Sequence, residues 1–311
     1  VNLKAIFVGP LGVRAGWRIV VWLLFVIGMV LGVSAAARPL QPIIKGLLSH
    51  VDHTAHAIVS DAINPLLLWG SVVVATRLAW LTFRKDRDYG RYGLRAARVG
   101  RREFLLGALV GIAGLLVSAG AIWATGGFKF SGQVTGLTVV YGLLWLVAYT
   151  GVAFFEEFMF RGYLLTSLAD GIGVRWAAVL TAVLFALAHS GNPNENPAGL
   201  VNVAMIGIVF ALCVMRTGSL WLPAGIHLGW NWAQTFLIGS NNSGNPAAGA
   251  MLKATPVGHA LVSGGTVGIE GSLFSLIGMA VILGFILKTW PKTTFERLPL
   301  PVAEEPVPVV A

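Results

Sequence analysis

Residues 141–165 read YGLLWLVAYTGVAFFEEFMFRGYLL, an apolar run interrupted by Glu156, Glu157 and Arg161. A helix rises 1.5 Å per residue, so about 20 apolar residues cross the hydrocarbon core of a bilayer. This run is long enough to span, and its charges lie within it rather than at its ends. Ionisable groups inside a membrane helix are costly, and their placement points to chemistry.

Seven further runs flank it: Trp17–Ala37, Asn64–Phe83, Glu103–Thr125, Val174–His189, Ala198–Met215, Ser219–Ile238 and Gly271–Trp290. The 311-residue chain is 56% hydrophobic and 11% charged, against roughly 25% charged residues in soluble domains. That is too little charge to solvate a globule of this size. The expectation is an all-α, polytopic transmembrane helix bundle of about eight spans, forming one domain over residues 1–290. The first run ends in Ser34-Ala35-Ala36-Ala37, in the manner of a signal-peptide cleavage site. Its length and the spans after it favour an uncleaved first helix. Residues 39–63 are too polar to span and are expected at the outer interface. The Gly- and Asn-rich segment 239–269 reads as an external loop, and the Pro-rich tail 291–311 as disordered.

The formal charge is +9, and eight of the 22 basic residues fall between Arg84 and Arg102. No nucleic-acid recognition module surrounds that cluster, so nucleic acid is not expected as a partner. A basic stretch between two spans faces the cytoplasm and anionic headgroups. The other connections repeat the asymmetry and place both termini in the cytoplasm. The initial Val, read as a translated alternative start codon, suggests a prokaryotic plasma membrane. The single cysteine, Cys213, lies in an apolar run and reads as a small buried residue.

Two other spans carry chemistry. LFALAHS ends the fifth on His189, and AGIHLGWNW puts His227 and Asn231 in the seventh. Glu157 and Arg161 are four residues apart and share a helix face, as do His227 and Asn231, and Phe185 and His189. Pairing with Arg161 makes Glu157 structural. Glu156 is turned about 100° away and is free to face another neighbour. Counting from a turn near Gly171 and Gly173, Glu156 lies about 16 residues back and His189 about 17 forward, so both sit at similar depth. His227 and Asn231 reach roughly 12 and 18 Å from the same side. A carboxylate and an imidazole activate water as a general base, and an Asn amide with a second His stabilises an oxyanion. The same Glu156, His189 and His227 are also a zinc ligand set, although no HExxH helix is present.

Glu156-Glu157-xxx-Arg161, Phe185-xxx-His189 and His227-xxx-Asn231 resemble, in order and spacing, the three motifs of the CAAX proteases and bacteriocin-processing enzymes, the CPBP or ABI family of type II CAAX prenyl endopeptidases. The likeness is specific over about Phe154 to Trp232. It extends to FRGYLL and GSLWLPAGIH, and is compatible with GGTVGIEGS at 264–272. The resemblance implies an eight-helix intramembrane endopeptidase with a peptidase core at about 141–238. Its substrate would be a membrane-associated or lipidated peptide or protein, cut near its C-terminus within the lipid bilayer. Glu156 and His189 would activate water, His227 and Asn231 would stabilise the oxyanion, and Glu157, Arg161 and Phe185 would support the site. No cofactor is expected, with zinc on Glu156, His189 and His227 the alternative. Two rival functions use the same residues: a transporter with a Glu–His relay, and a non-catalytic scaffold or immunity protein. The first would carry flux dependent on Glu156, and the second would tolerate its loss.

Overall fold

In the computed structural model of the protein, residues 6–294 are described except 10–11, 49, 85–87, 95–96 and 133. The helices run in the order α1 (Ala15–Ala37), α2 (Gln41–Leu48), α3 (His53–Phe83), α4 (Ala97–Ala124), α5 (Thr138–Glu157), α6 (Leu165–Ile172), α7 (Val174–His189), α8 (Pro197–Thr217), α9 (Trp221–Trp232), α10 (Ala260–Ser263) and α11 (Ser275–Thr289). Two small antiparallel pairs join β1 (Val8–Gly9) to β2 (Gly12–Val13), and β3 (Phe128–Gly132) to β4 (Leu252–Pro256).

Five helical stretches are long and apolar enough to cross a membrane: Ala15–Ile43, His53–Phe83, Gly100–Ala124, Thr138–Ile172 and Pro197–Thr217. Helices α7 and α11 are apolar but have 16 and 15 residues. Leu24, Leu31, Leu109, Val139, Trp176 and Leu187 are among many large apolar side chains on the outer faces. Water does not tolerate so extensive an apolar surface, whereas acyl chains do. The protein is an all-α integral membrane bundle.

The structure departs from the sequence expectation in three places. Helix α3 begins eleven residues before Asn64, taking in residues expected at the outer interface. Asp52 explains the early start: its carboxylate accepts from the Thr54 and Ala55 amides at 3.0 and 3.1 Å and from Tyr141 Oη at 2.8 Å. The cap satisfies two of the helix's free N–H groups, and the Tyr141 hydrogen bond holds the Asp52 carboxyl below its ordinary range. Second, the segment read as an external loop contributes β4, whose Ala254 pairs with Phe130 of β3. The partner strand is distant in sequence and no tight turn joins the two, so no local signal announces the pair. Third, residues 291–294 are not free tail: the Thr294 amide and the Thr293 hydroxyl donate to the Met215 carbonyl at 2.9 and 2.7 Å. The rest of the predicted tail lies outside the described residues.

One end of the bundle gathers the basic residues. Asp170, at the end of α6, accepts from Arg18 at 3.1 Å and Arg91 at 3.0 Å. The Leu220 amide donates to Gly93, and Arg216 donates to the Trp290 carbonyl at 2.9 Å. The opposite end holds the Asp52–Tyr141 bond, the β3–β4 pair and the loop before α11.

Helices α4 and α9 approach at backbone distance. A Cβ on Gly111 would overlap the Ile226 carbonyl, one on Gly225 the Phe104 carbonyl, and one on Gly229 the Ala108 carbonyl. Small residues drive close helix packing in lipid, where apolar burial gives no advantage over the acyl chains. This seam fixes the rotation of α9, and hence the direction in which His227 and Asn231 point. Gly229→Ala is expected to cost about 1–3 kcal/mol by overpacking, read as a lowered melting temperature in detergent. Gly120→Ala, where a Cβ meets nothing within 4 Å, is the control and should leave it unchanged.

Candidate active site

Helix α5 runs directly into a π-helical stretch, Phe158–Leu164, immediately after Glu156 and Glu157. Helix α9 does the same at Ala233–Ile238, just past Asn231. Widened turns of this kind are rare and cluster at functional sites. At Gly173 the backbone takes φ 82 and ψ 152, a conformation that glycine adopts without strain. The chain reverses there, and α7 carries His189 back to the depth of Glu156.

Arg161 is fully buried, as is nearly all of Glu157, so neither is stable without the other. Arg161 Nη1 lies 3.2 Å from Glu157 Oε1, and Nη2 donates to the Gly207 carbonyl at 3.2 Å. The guanidinium carbon lies 4.2 Å from the Phe185 ring centroid and 5.3 Å from that of Phe210. Such desolvated cation–π contacts are worth about 2 kcal/mol. The same two rings set the imidazoles, Phe185 meeting His189 edge-on at 4.6 Å and Phe210 stacking on His227 at 5.4 Å. Phe185 therefore separates the arginine from His189 while contacting both.

The hydrogen bonds choose the tautomers. His189 Nδ1 lies 2.8 Å from the Phe185 carbonyl, which only accepts, so Nδ1 carries the hydrogen. His227 Nδ1 lies 3.2 Å from Glu157 Oε1, a carboxylate already paired with Arg161, and likewise donates. Both Nε2 atoms are left facing Glu156, each 3.8 Å from its Oε2. That oxygen is buried and makes no hydrogen bond among the described residues. The distances are too long for direct bonds, but one water can bridge them.

These groups line a cavity of about 670 Å³, together with Asn231. Asn231 is 8% exposed, and its side-chain amide has no hydrogen-bond partner among the described residues. The cavity brings together all four residues expected to be catalytic. It is also lined by Asp61 and by Tyr149, Asn242 and Glu270, the last three marked by no sequence motif. Tyr149 Oη lies 2.6 Å from Thr235 Oγ1, and Asn242 reaches both Thr235 Oγ1 and the Asn231 carbonyl at 3.4 Å. Glu270 accepts from Gln234 and from the Ser243 amide. Burial pushes its carboxyl above the ordinary range, partly offset by those two donors. The sequence signal for Glu270 was a lone carboxylate among the glycines of GGTVGIEGS. Gly268 there has φ 108, and a Cβ would overlap the Asn241 carbonyl.

Glu156, His189 and His227 are the residues that would hold zinc. Zinc–ligand bonds of about 2.0–2.1 Å put tetrahedral donors about 3.3 Å apart. The carboxylate oxygen here stands 3.8 Å from each imidazole nitrogen. Among the described residues, no three His, Cys, Asp or Glu side chains are gathered closely enough to hold a metal ion.

Residues 136–233 fit the family model described as type II CAAX prenyl endopeptidase Rce1-like. Neither the curated proteins nor the solved structures give a match. The matched segment begins just before α5 and ends just after α9, so it contains Glu156, Glu157, Arg161, Phe185, His189, His227 and Asn231. Over residues 136–233 the chain is thus similar to the Rce1-like type II CAAX prenyl endopeptidases.

Proposed function

We propose that the protein is an intramembrane endopeptidase that hydrolyses a peptide bond of a membrane-associated peptide or protein with water activated by Glu156 and His189. The carrying observation is Glu156 Oε2, a buried oxygen without a hydrogen-bond partner among the described residues and 3.8 Å from two imidazole nitrogens. A water held between Glu156 and the His189 lone pair loses a proton to Glu156 as its oxygen bonds to the carbonyl carbon. The Asn231 amide donates to the resulting oxyanion. His227 Nε2 does so in the form that carries hydrogen on both nitrogens. The C–N bond then breaks, and the proton on Glu156 passes to the leaving amine. Glu157 and Arg161 hold His227 in place throughout.

The reaction as proposed uses no metal, in keeping with the wide donor spacing. Activity of the purified protein in liposomes is therefore expected to survive exhaustive treatment with a zinc chelator. Loss of cleavage on chelation, restored by zinc alone, would overturn the metal-free reading. The functional assignment itself is tested by cleavage of lipidated peptides in liposomes. Cleavage should disappear in Glu156→Ala and His189→Ala proteins that still insert, whereas full activity in both would refute the assignment. The inside placement of the basic end, and so of both termini, is read from charge alone. Accessibility labelling of single cysteines at the two ends tests it.

A further inference from the structure

Arg77 lies on the lipid-facing side of α3. It shares a helix face with Val74, Leu78 and Leu81, and all four side chains are exposed. The other side of α3 is buried against α1, where Trp22 Nε1 donates to Thr76 Oγ1 at 3.0 Å. The 31 residues of α3 reach about 46 Å, against a hydrocarbon core of about 30 Å. Centred in the bilayer, the helix overshoots that core by about 8 Å at each end. Arg77 lies about 9 Å before the last residue, Phe83, and so at the boundary between acyl chains and headgroups. Its guanidinium is drawn toward the headgroup side: the guanidinium carbon stands 4.1 Å from the Trp80 ring centroid and 5.2 Å from that of Tyr89, which follows the helix. Side chains on a helix lean toward its N-terminus by default, so these rings hold Arg77 against that tendency. Trp and Tyr are also the residues that settle at headgroup level.

Ring contacts occupy the faces of a guanidinium and leave its N–H edges to hydrogen bonding. Arg77 makes no hydrogen bond or ion pair among the described residues. Two carboxylates at this end are engaged elsewhere. Asp170 accepts from Arg18 and Arg91, and Asp88 accepts from the Gly90 amide at 3.0 Å. Two arginines on one aspartate leave a positive charge in excess. Arg91 stands 6.0 Å from the ring of Tyr92, which meets Tyr89 edge-on at 5.8 Å. A held guanidinium edge at headgroup depth matches the paired oxygens of a phosphate. The excess positive charge repels the ammonium of a zwitterionic lipid. Val74, Leu78 and Leu81 offer the acyl chain of such a ligand an apolar face.

We propose that Arg77, flanked by Trp80 and Tyr89, is a specific binding site for the phosphate of an anionic phospholipid in the leaflet at the basic end of the bundle. The proposal does not depend on the peptidase reading. The test is native mass spectrometry of the full-length protein in detergent, with added phosphatidylglycerol or phosphatidylcholine. The unaltered protein should retain phosphatidylglycerol in preference. Arg77→Gln should weaken that retention about tenfold, the scale of one hydrogen bond to a charged group. Arg77→Lys keeps the charge but loses the paired donors, and should fall between the two. Arg77 is exposed, so both variants should fold, which a detergent melt checks. Arg101→Gln removes one exposed charge without touching the Trp80–Tyr89 pair, and should bind as the unaltered protein does. Inorganic phosphate, which has no acyl chain, should not displace the lipid. Undiminished retention in Arg77→Gln, or an equal loss in Arg101→Gln, would overturn the site. Equal retention of phosphatidylcholine, or displacement by inorganic phosphate, would overturn the choice of ligand.

Discussion

Glu156→Gln is expected to lower peptide-bond cleavage by a factor of about 10²–10⁴, the range a positioned general base contributes. The melting temperature should hardly change. Gln keeps the shape of Glu156 but cannot take a proton from water. Glu156 also makes no hydrogen bond among the described residues through the oxygen that faces the imidazoles, so little structure depends on it. The 3.8 Å gaps to His189 and His227 mean that neither ring loses a direct bond. Single-turnover cleavage in liposomes measures the first quantity, and a detergent melt the second. A transporter relay or a scaffold would leave cleavage absent in both proteins. A Gln variant that cleaves at the native rate would remove Glu156 from the chemistry.

The site was more legible in the sequence than the architecture around it. Helical spacing alone paired Glu157 with Arg161, and equal distance from the Gly173 turn put Glu156 and His189 at one depth. Both inferences need only a constant rise per residue and a known reversal point. Spacing along one chain could not show that Glu157 also reaches His227 Nδ1 at 3.2 Å, because that bond joins α5 to α9 across the bundle. Nor could it reveal the two π-helical stretches, which follow from packing rather than from any residue type. Tyr149 and Asn242 escaped notice for the same reason. Each is an ordinary polar residue whose meaning comes from the elements it meets. The early start of α3 has a local cause, since Asp52 is an N-cap within the polar stretch 39–63.

Arg161→Met is the substitution with the largest expected cost to the fold. It removes the cation from a carboxylate that is 1% exposed, and breaking a buried ion pair from one side costs about 3–5 kcal/mol. It also withdraws the guanidinium from between Phe185 and Phe210, the rings that position His189 and His227. The protein should melt far below the native temperature, with cleavage lost. Adding Glu157→Leu removes the stranded charge, and most of the stability should return, because apolar residues often replace a buried pair at little cost. Activity should not return with it. His227 Nδ1 would have lost the acceptor that fixes its ring, a loss worth about 10⁴-fold where a buried carboxylate orients a catalytic histidine. The pair of variants separates the two roles of Glu157, since the single change removes its counter-ion and the double change removes its hold on His227. Melting curves and cleavage rates measured side by side decide the matter. A double variant that regains both stability and cleavage would show that Glu157 does no more than neutralise Arg161.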